Sequence, residues 1–501
     1  MNHAEYDAIV IGAGNGGLTA ACTLAQGGLR TLMLEQHNVP GGYATSFCRG
    51  RFEFEVALHQ LSGLGSKEKP GPLRTALDSL GVTDLLEWVE MKNLYRVMVP
   101  GYLDVTLPAN REEIIEILKG KFPEESKNID DFFALIYHCW NEFQELYHYN
   151  FDTVDINARL DTGFSAEKYP VYSNHAYKNL QEVLDSSFTN PLLKLIVGIF
   201  SAYSGPPKQI SLIDLAIWLF LYIEYGSYQI KNGSQALSNA IVRRFQESGG
   251  DVRFNCGVSK IVVENGAAVG VVTESGDVIG AKNVVSNASP LVVYTEMMDR
   301  ADVPKGQMRS FRGSAIGPST FILFIALDCD HSHIAMNESM NFILGPGQRP
   351  LYISCYNVDD PDCSPPGTSL VTIVDYQNGE RWLSIPPHRY CDAKYEGAEK
   401  ILGQVEKFYP GFREHIEEIE VATPLTNVRF TRAPGGAIGG FNHYGRHYYL
   451  FPMDRPRVRG LHFVGAWTNN PGGFHPTLMN GRAVGLDILE KERISTAGMK
   501  G

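Results

Sequence analysis

The feature that most constrains the fold is a glycine-rich turn near the start of the sequence, between a short apolar run and a helical segment. Residues 8–11 form the continuous apolar run that is typical of a buried parallel strand. Gly12, Gly14 and Gly17 follow with the spacing G-x-G-x-x-G. This spacing permits a tight turn, a close approach of the backbone to a pyrophosphate, and close packing of helix on strand. The sequence predicts a helix over 17–26 whose amino terminus points toward the phosphates.

An acidic residue stands where such a turn requires one. A second strand is expected over 30–34, and Glu35 follows it directly. In dinucleotide-binding folds an acid at this place binds the ribose hydroxyls. A lone G-x-G-x-x-G is weak evidence, but here it lies between two predicted strands with the acid in position. The unit therefore predicts a Rossmann-type α/β fold that binds a dinucleotide.

Two further glycine-rich segments distinguish among dinucleotide cofactors. The first is the turn Gly41-Gly42-Tyr43, just past the ribose acid; an ordinary turn is the alternative interpretation. The second lies near the other end of the chain, where a strand over 460–464 leads into a glycine loop and a helix rich in small residues. Its glycine spacing does not repeat the first motif, so it is not a second nucleotide fold. This loop contains Gly465, Ala466, Gly472, Gly473 and Phe474.

A third block lies between these segments. A helix is expected from Lys231 to about Ser248, followed by strands over 249–255 and 258–264. A hairpin is expected over 268–281, turning at Ser275-Gly276, and 284–287 is predicted as one more strand.

The order of these motifs resembles that of the phytoene desaturase, carotenoid isomerase and retinol saturase family of FAD-dependent oxidoreductases, over nearly the whole chain. The resemblance implies FAD as the cofactor. It also implies an FAD-binding domain of the amine-oxidase (GR2) type with a discontinuous, mixed α+β substrate domain. The cofactor-binding residues expected from the motifs and the resemblance are Gly12, Gly14, Gly17, Glu35, Gly41, Gly42, Tyr43, Val258, Gly465, Ala466, Gly472, Gly473 and Phe474.

Three positions depart from the family pattern. Lys231-Asn232-Gly233 stands where members often carry Pro-Gly-Gly, Ala466 stands where many amine-oxidase relatives have an acid, and Tyr43 stands where desaturases usually have Arg. The last two lie near the expected flavin, so the fold expectation is unchanged while the reaction is left open.

The domains are expected to interleave along the chain. The FAD-binding domain is assigned to 1–70, 228–295 and 455–495, and the substrate-binding domain to 71–227 and 296–454. The first insert is expected to be mostly helical, and the second to alternate strands with one long helix. The strands would form a floor under the substrate and the helices a roof over it. The loop 431–440 is either a family segment near the flavin or a glycine-rich hairpin turn.

Two apolar helices are expected over 191–203 and 210–225. They are buried core helices, or they form the wall of a long apolar substrate tunnel or dip into a membrane surface. No segment has the length and apolarity of a membrane span.

Composition excludes some classes of partner. The chain has 501 residues and a net charge of -12, which argues against nucleic acid as a partner. Its eight cysteines form no C-x-x-C and no zinc-ligand spacing, so we expect reduced thiols and no metal site. The sequence begins directly with a fold strand, which favours a cytoplasmic protein without a signal peptide, with peripheral membrane contact left open. The oligomeric state is not indicated.

Candidate catalytic residues follow the double glycine. Residues 52–59 alternate as a strand, which would place Glu55 and His59 on one face. His59, Glu55 and His475 are the catalytic candidates, as general acids or bases, with a structural histidine as the alternative for His59 and His475. Arg49 and Arg51 are expected to pair with the diphosphate or with Glu53 and Glu55.

The resemblance implies a flavin-dependent enzyme that desaturates or saturates carbon–carbon bonds of a long apolar substrate, such as a carotenoid, retinoid, other isoprenoid or unsaturated fatty acyl chain. Three alternatives stay open: a redox-neutral double-bond isomerase that uses reduced FAD, an amine oxidase, and a non-catalytic escort protein that binds prenyl groups or lipids. No second pyridine-nucleotide motif is visible, so we expect oxygen, a quinone or a protein as the partner in electron transfer.

Overall fold

The computed structural model describes residues 4–146, 165–199, 201, 206–311, 315–345, 349–441, 458–468 and 472–498. Within them the strands are β1 (Tyr6–Ile11), β2 (Thr31–Leu34), β3 (Ser46–Arg49), β4 (Phe52–Glu55), β5 (Leu61–Ser62), β6 (Trp88–Glu90), β7 (Asn93–Val99), β8 (Leu103–Pro108), β9 (Ser227–Ile230), β10 (Asp251–Arg253), β11 (Val258–Glu264), β12 (Ala267–Thr273), β13 (Val278–Ser286), β14 (Ser319–Leu327), β15 (Met340–Ile343), β16 (Leu351–Cys355), β17 (Ser369–Gln377), β18 (Ile416–Ala422) and β19 (Leu461–Phe463).

The α-helices of the same residues are α1 (Asn15–Gln26), α2 (Pro72–Ser79), α3 (Arg111–Lys121), α4 (Ser126–Leu146), α5 (Pro170–His175), α6 (Leu180–Ser187), α7 (Pro191–Ile199), α8 (Leu212–Tyr225), α9 (Gly233–Glu247), α10 (Pro290–Glu296), α11 (Lys305–Phe311), α12 (Gly379–Leu383), α13 (Tyr390–Val405), α14 (Pro424–Thr431) and α15 (Phe474–Gly498).

The first large sheet carries the amino-terminal motif. Its strand order is β10-β2-β1-β13-β12-β11, and β19 also pairs with β13. The pairs among β10, β2, β1, β13 and β19 are parallel, whereas β11, β12 and β13 form an antiparallel meander. Successive residues of β1 enter different apolar cores, Ala8 and Val10 beneath α1 and Ile9 and Ile11 on the other face. The sheet is therefore covered on both sides, as a parallel sheet requires.

The second large sheet has the order β18-β14-β17-β16-β15-β7-β8. Both chain segments expected to form the substrate domain contribute to it, because β7 pairs in parallel with β15. The expectation of a mostly helical first insert was thus incomplete, since β7 and β8 belong to this sheet. Ile322 and Phe324 of β14 face one core and Phe321 and Leu323 face another. The sheet therefore separates a helix-covered core from the interior of the molecule.

Two expected strands are a single strand. We expected separate strands over 277–281 and 284–287, but β13 runs unbroken through both. Its first half pairs with β12 and its second half with β1 and β19. The polar residues between them do not break the strand because Lys282 forms an ion pair with Asp7 at 2.7 Å and Asn283 donates to the Asp7 carbonyl at 3.3 Å.

The expected strand over 52–59 is shorter than predicted. β4 ends at Glu55, whose carboxylate accepts hydrogen bonds from the backbone N–H groups of Ala57 at 3.0 Å and Leu58 at 2.8 Å. These bonds turn the chain out of the extended conformation.

The two apolar helices pack in a large core with α4. Leu193 and Ile196 of α7 and Leu212 and Leu219 of α8 are almost fully buried there. The remainder of the first predicted helix, beyond Ile199, lies largely outside the described residues. Among the residues that the structure describes, no helix combines the length and apolarity needed to cross a membrane.

Candidate functional site

One cavity of about 1280 Å³ joins the two large sheets. It begins at the carboxyl ends of β1 and β2, where open parallel sheets bind their ligands, and it ends against β14 and β17 of the second sheet. Pockets for one small molecule usually measure about 300–1,000 Å³. The volume is therefore sufficient for more than one ligand.

The amino-terminal glycine turn lines the first end of this cavity. Gly12 has a φ of +90°, and a Cβ at Gly17 would come within 2.0 Å of the Gly12 carbonyl oxygen. Gly17 itself does not line the cavity, and its role is close packing of α1 on the turn. Gly14 is the N-cap of α1 without a side-chain cap, and the first turn of the helix contains no acid. The exposed N–H groups and the helix dipole thus favour an anion at this point.

Glu35 is held firmly at the edge of the same region. Its side chain is only 8% exposed. One carboxylate oxygen accepts a hydrogen bond from the Ala13 N–H at 2.6 Å, and the other accepts one from the His37 N–H at 2.8 Å. Each carboxylate oxygen can accept a second bond. The carboxylate is therefore oriented to receive further donors, such as the hydroxyls of a ribose.

The second glycine turn completes the wall of the phosphate region. Gly41 forms an isolated parallel bridge with Gly14, and its N–H donates to the Ala13 carbonyl at 2.7 Å. Gly41 and Gly42 have φ values of +125° and +63°, so both sites favour glycine. Tyr43 lines the cavity, and burial raises the pKa of its phenol.

Asn287 is a site residue that the sequence analysis missed. It directly follows β13 and lines the cavity beside the glycine turn. A Cβ at Gly14 would come within 2.5 Å of its Nδ2, and a Cβ at Gly16 within 3.0 Å of its Oδ1. Asn287 could have been identified from its position. It lies at the carboxyl end of a parallel strand, next to the strand that carries the glycine motif.

The carboxyl-terminal loop closes the cavity from the other side. The Gly465 N–H donates to Asn480 Oδ1 at 2.9 Å, which fixes the loop on α15. Gly465, Ala466, Gly472, Gly473 and Phe474 all line the cavity, as does Val258 at the start of β11.

The segment 431–440 packs directly on this loop. A Cβ at Gly440 would come within 2.1 Å of the Ala466 carbonyl oxygen, and a Cβ at Gly472 within 2.4 Å of the Gly439 Cα. Ala437, Ile438 and Gly439 line the cavity. Of the two interpretations left open for this segment, its position favours the one that places it at the ligand.

Two of the three catalytic candidates lie in the cavity wall. His59 is hydrogen-bonded through Nδ1 to the Tyr356 hydroxyl at 3.0 Å. His475, at the start of α15, is 4% exposed, and its Nε2 has no hydrogen-bond partner among the described residues. Burial lowers the pKa of each histidine to about 4, so both rings are neutral at neutral pH. The Nε2 of His475 is therefore available to bond with a ligand in the cavity.

Glu55, the third candidate, does not line the cavity. Besides the bonds from Ala57 and Leu58, it accepts hydrogen bonds from the N–H of Ser234 at 2.6 Å and from the Ser234 hydroxyl at 2.8 Å. These four bonds tie β4 to the start of α9. The arrangement gives Glu55 a structural role in place of the catalytic one expected from the sequence.

The expected pairing of the two arginines with Glu53 or Glu55 was wrong, whereas Arg49 does line the cavity. Arg49 pairs with Glu420 at 2.9 Å and Arg51 with Glu417 at 2.7 Å, both on β18. The reason is tertiary, because β3 and β4 lie against β18, which is remote in sequence.

The far end of the cavity is an apolar chamber. We use this name for the region lined by six residues of α8, β14 and β17, namely Trp218, Tyr222, Ile322, Phe324, Val374 and Tyr376. The only carboxylates that line the cavity within the described part of the chain are Glu35 and Glu420. Glu420 is flanked by Arg49 at 2.9 Å and Lys394 at 3.6 Å, so its charge is already compensated.

The residues fit a dinucleotide cofactor on structural grounds alone. Four features border one continuous space. They are the uncapped amino terminus of α1, the glycines that leave no room for a Cβ, the oriented Glu35 carboxylate and the His475 Nε2 without a partner among the described residues. The anion-binding turn and the ribose acid match the dinucleotide pattern.

Comparison with known proteins agrees with this geometry. The chain is 25% identical to prolycopene isomerase of carrot (Daucus carota), over 92% of this chain and 76% of the relative. It is also 25% identical to all-trans-retinol 13,14-reductase of zebrafish (Danio rerio), over 88% of this chain and 78% of the relative.

A solved oxidoreductase structure from Methanosarcina mazei shares the fold, with a TM-score of 0.64 at 18% identity, over 95% of this chain and 99% of that one. The family model described as flavin containing amine oxidoreductase matches residues 16–489. The chain therefore belongs to the flavin containing amine oxidoreductase family, and its cofactor is a flavin.

Proposed function

We propose that this protein is an FAD-dependent enzyme that desaturates or saturates a carbon–carbon bond in a long apolar isoprenoid, such as a carotenoid or retinoid, or in an unsaturated fatty acyl chain. The observation that carries the proposal is the continuity of the cavity. A dinucleotide-binding end and an apolar chamber belong to one space of about 1280 Å³.

FAD is proposed in preference to FMN because the cavity extends to Glu35 and Val258. These residues lie where an adenosine half would bind, and FMN has no such half. Gly14, Gly42 and Gly465 would border the diphosphate, and Gly472, Gly473 and Phe474 would border the ring system.

The lining of the chamber supports an apolar substrate. Trp218, Tyr222 and Phe324 offer large aromatic surfaces, and Ile322 and Val374 add aliphatic ones. Both relatives carry names for enzymes of polyene substrates, one a prolycopene isomerase and the other a retinol reductase.

The cofactor, when bound, supplies hydride acceptance or donation at carbon. The residues of the chain bind the polyene, orient it and exclude water from the reacting carbons. His59 and Tyr356, joined by the 3.0 Å hydrogen bond, form the pair that we propose to hold or move the accompanying proton. His475 is proposed to orient the ligand through its free Nε2.

An isomerase is the second candidate, and the resemblance to prolycopene isomerase favours it. It would use the same site without net electron transfer. An amine oxidase is less well supported. An alkylammonium substrate seeks an uncompensated carboxylate or an aromatic cage, and Glu420 is already paired with two cations.

We also propose that the cavity receives its substrate from a membrane surface by peripheral contact of an otherwise cytoplasmic protein. Leu383 and Phe430 line the cavity and are 56% and 51% exposed. This exposure supports a proposed contact at α12 and α14 in preference to the buried α7 and α8. Flotation with liposomes tests it: Leu383→Ser should reduce flotation, and recovery of the wild-type protein wholly in the soluble fraction would contradict it.

The function is tested by recording the absorbance spectrum of the purified protein, reducing it without oxygen, and adding a carotenoid, a retinol, a polyunsaturated fatty acid or an alkylamine. Flavin reoxidation by one lipid supports a saturase and names the substrate class. Altered double-bond geometry with the flavin still reduced supports an isomerase. Reduction of the oxidised flavin by the amine supports an amine oxidase. A protein that remains colourless after reconstitution with FAD would support the escort alternative.

A further inference from the structure

A cluster of side chains of metal-ligand type lies outside the flavin cavity, where β14 ends and β18 begins. Leu327 pairs with Ile416 in the register of these strands, which places Asp328 and Cys329 beside His415. The Asp328 N–H donates to the His415 carbonyl at 2.9 Å, and His415 Nδ1 lies 2.8 Å from Asp328 Oδ1. Two segments that are distant in sequence are thereby held side by side.

The donor atoms are close together and chemically suited to a transition metal. One ligand atom from each of Asp328, Cys329 and His415 lies within 4.8 Å of the others. A thiolate, an imidazole and a carboxylate are the ligand types of zinc, with bonds of about 2.0–2.3 Å. Tetrahedral coordination with those bonds sets the ligand atoms about 3.3–3.7 Å apart. Small side-chain rotations would close the cluster around an ion.

A second histidine is available to complete the coordination. His333 lies on the short 3₁₀ turn His331–Ile334, and its ring packs edge-to-face on His415 with centroids 5.0 Å apart. Asp330 caps this turn by accepting the Ser332 N–H at 2.9 Å. Cys329 and His333 are separated by three residues, so both lie on the short connection that follows β14.

We propose that Asp328, Cys329 and His415 bind a zinc-type transition-metal ion, with His333 as the fourth ligand. No metal site was expected from the sequence, because His415 is remote in the chain from Asp328 and Cys329. Here the ligands come together only when β14 pairs with β18. The proposal does not depend on the proposed function, since none of the four residues lines the flavin cavity.

A metal at this point would stabilise the floor of the apolar chamber. β14 contributes Ile322 and Phe324 to the cavity wall, and β18 contributes Glu420 and Ala422. A metal that joins the end of one strand to the start of the other would oppose their separation. We therefore expect a structural ion with four protein ligands and no open position for catalysis.

The test uses the full flavin-loaded chain with any histidine tag removed. Metal content is measured after dialysis without chelator, and Co²⁺ is then titrated while the difference spectrum is recorded. A thiolate ligand produces a near-ultraviolet charge-transfer band that grows with bound Co²⁺ and is separate from the constant flavin absorbance. Zn²⁺ competition and a thermal melt with and without Zn²⁺ complete the measurement.

Wild-type protein is expected to bind one equivalent and to melt at a higher temperature with Zn²⁺. Cys329→Ser and His415→Ala should each weaken metal binding at least about tenfold. Cys329→Ser should abolish the charge-transfer band, because it removes the thiolate, and His415→Ala should reduce it. The matched control is Cys391→Ser, which removes an exposed thiol outside the cluster and should bind like wild type. Flavin absorbance checks that each variant is folded. The absence of saturable binding to wild type, or equal binding by the Cys329 and Cys391 variants, would overturn the proposal.

Discussion

The side chain of Asn287 fills the space in front of Gly465. A Cβ at Gly465 would come within 2.2 Å of Asn287 Oδ1, and Gly465 has a φ of +86°. The end of β13 and the carboxyl-terminal loop therefore meet at a contact that only glycine permits. This contact closes the cavity behind the first glycine turn.

Gly465→Ala is expected to lower both stability and flavin content. The left-handed backbone alone costs about 1–3 kcal/mol for a non-glycine residue, and the overlap with Asn287 adds to it. Flavin occupancy by absorbance and the urea unfolding midpoint measure the two effects. Gly120→Ala on α3, where a Cβ meets nothing within 4 Å, is the control and should leave both unchanged or raise stability slightly. Equal behaviour of the two variants would contradict the role of the contact.

Glu35→Gln should weaken FAD binding without unfolding the protein. The neutral amide replaces one carboxylate oxygen with a donor, which then faces the N–H of Ala13 or His37. Loss of a hydrogen bond to a charged group costs about 1.5–3 kcal/mol, so we expect roughly a tenfold to hundredfold higher Kd for FAD. Fluorescence quenching of FAD during titration of the apoprotein measures it. FMN affinity is the internal control, since it should change little.

Glu55→Gln tests whether Glu55 is structural. Its carboxylate accepts four hydrogen bonds, and an amide cannot accept all of them. We expect a loss of about 1–3 kcal/mol in the free energy of unfolding, with kcat per bound flavin unchanged. His59→Gln should show the reverse, a fall in kcat with a smaller change in stability. A large fall in kcat for Glu55→Gln would restore the catalytic interpretation.

Stability should fall between pH 6.5 and 4. Burial lowers the pKa of His59, His462 and His475 to about 4, whereas the unfolded chain has the ordinary value near 6.5. The unfolded state therefore binds protons first as the pH drops. The contribution of each histidine to the free energy of unfolding is fully present above about pH 6.5 and is lost as the pH falls toward 4. For a fully buried histidine this loss is up to roughly 3 kcal/mol.

Urea unfolding of the apoprotein across this range checks the pH dependence. His475→Gln should flatten the profile relative to wild type, because glutamine does not titrate. Burial raises the pKa of Glu55, which opposes the trend, so the difference between variant and wild type is the informative quantity. Identical slopes for both proteins would show that His475 does not titrate as described.

Val374 tests the apolar chamber by size. It lies on β17 and is 3% exposed in the cavity wall. Val374→Trp should reduce kcat/KM for a long polyene at least about tenfold while the flavin spectrum persists, at a stability cost of about 1–3 kcal/mol. Val374→Ala enlarges the same site and should retain turnover. Unchanged kinetics in the tryptophan variant would place the substrate elsewhere.

The local sequence determined the cofactor-binding half of this protein. Gly12, Gly14 and Glu35 are specified by turn geometry and spacing over a few residues, and β1, α1 and β2 lie where those rules place them. The long helices α4 and α8 were likewise predictable from apolar periodicity, because helix formation is a local property.

The tertiary structure alone decided the contacts between distant segments. Asn287 reaches Gly465, and Cys329 reaches His415, because strands far apart in the chain pair in one register. Arg49 reaches Glu420 because two separate sheets, one with β3 and one with β18, lie next to each other. The pairing of β7 with β15 placed β7 and β8 in the second sheet, and the packing of β4 against the start of α9 directed Glu55 to Ser234. Such pairings depend on long-range packing, which local propensity does not encode.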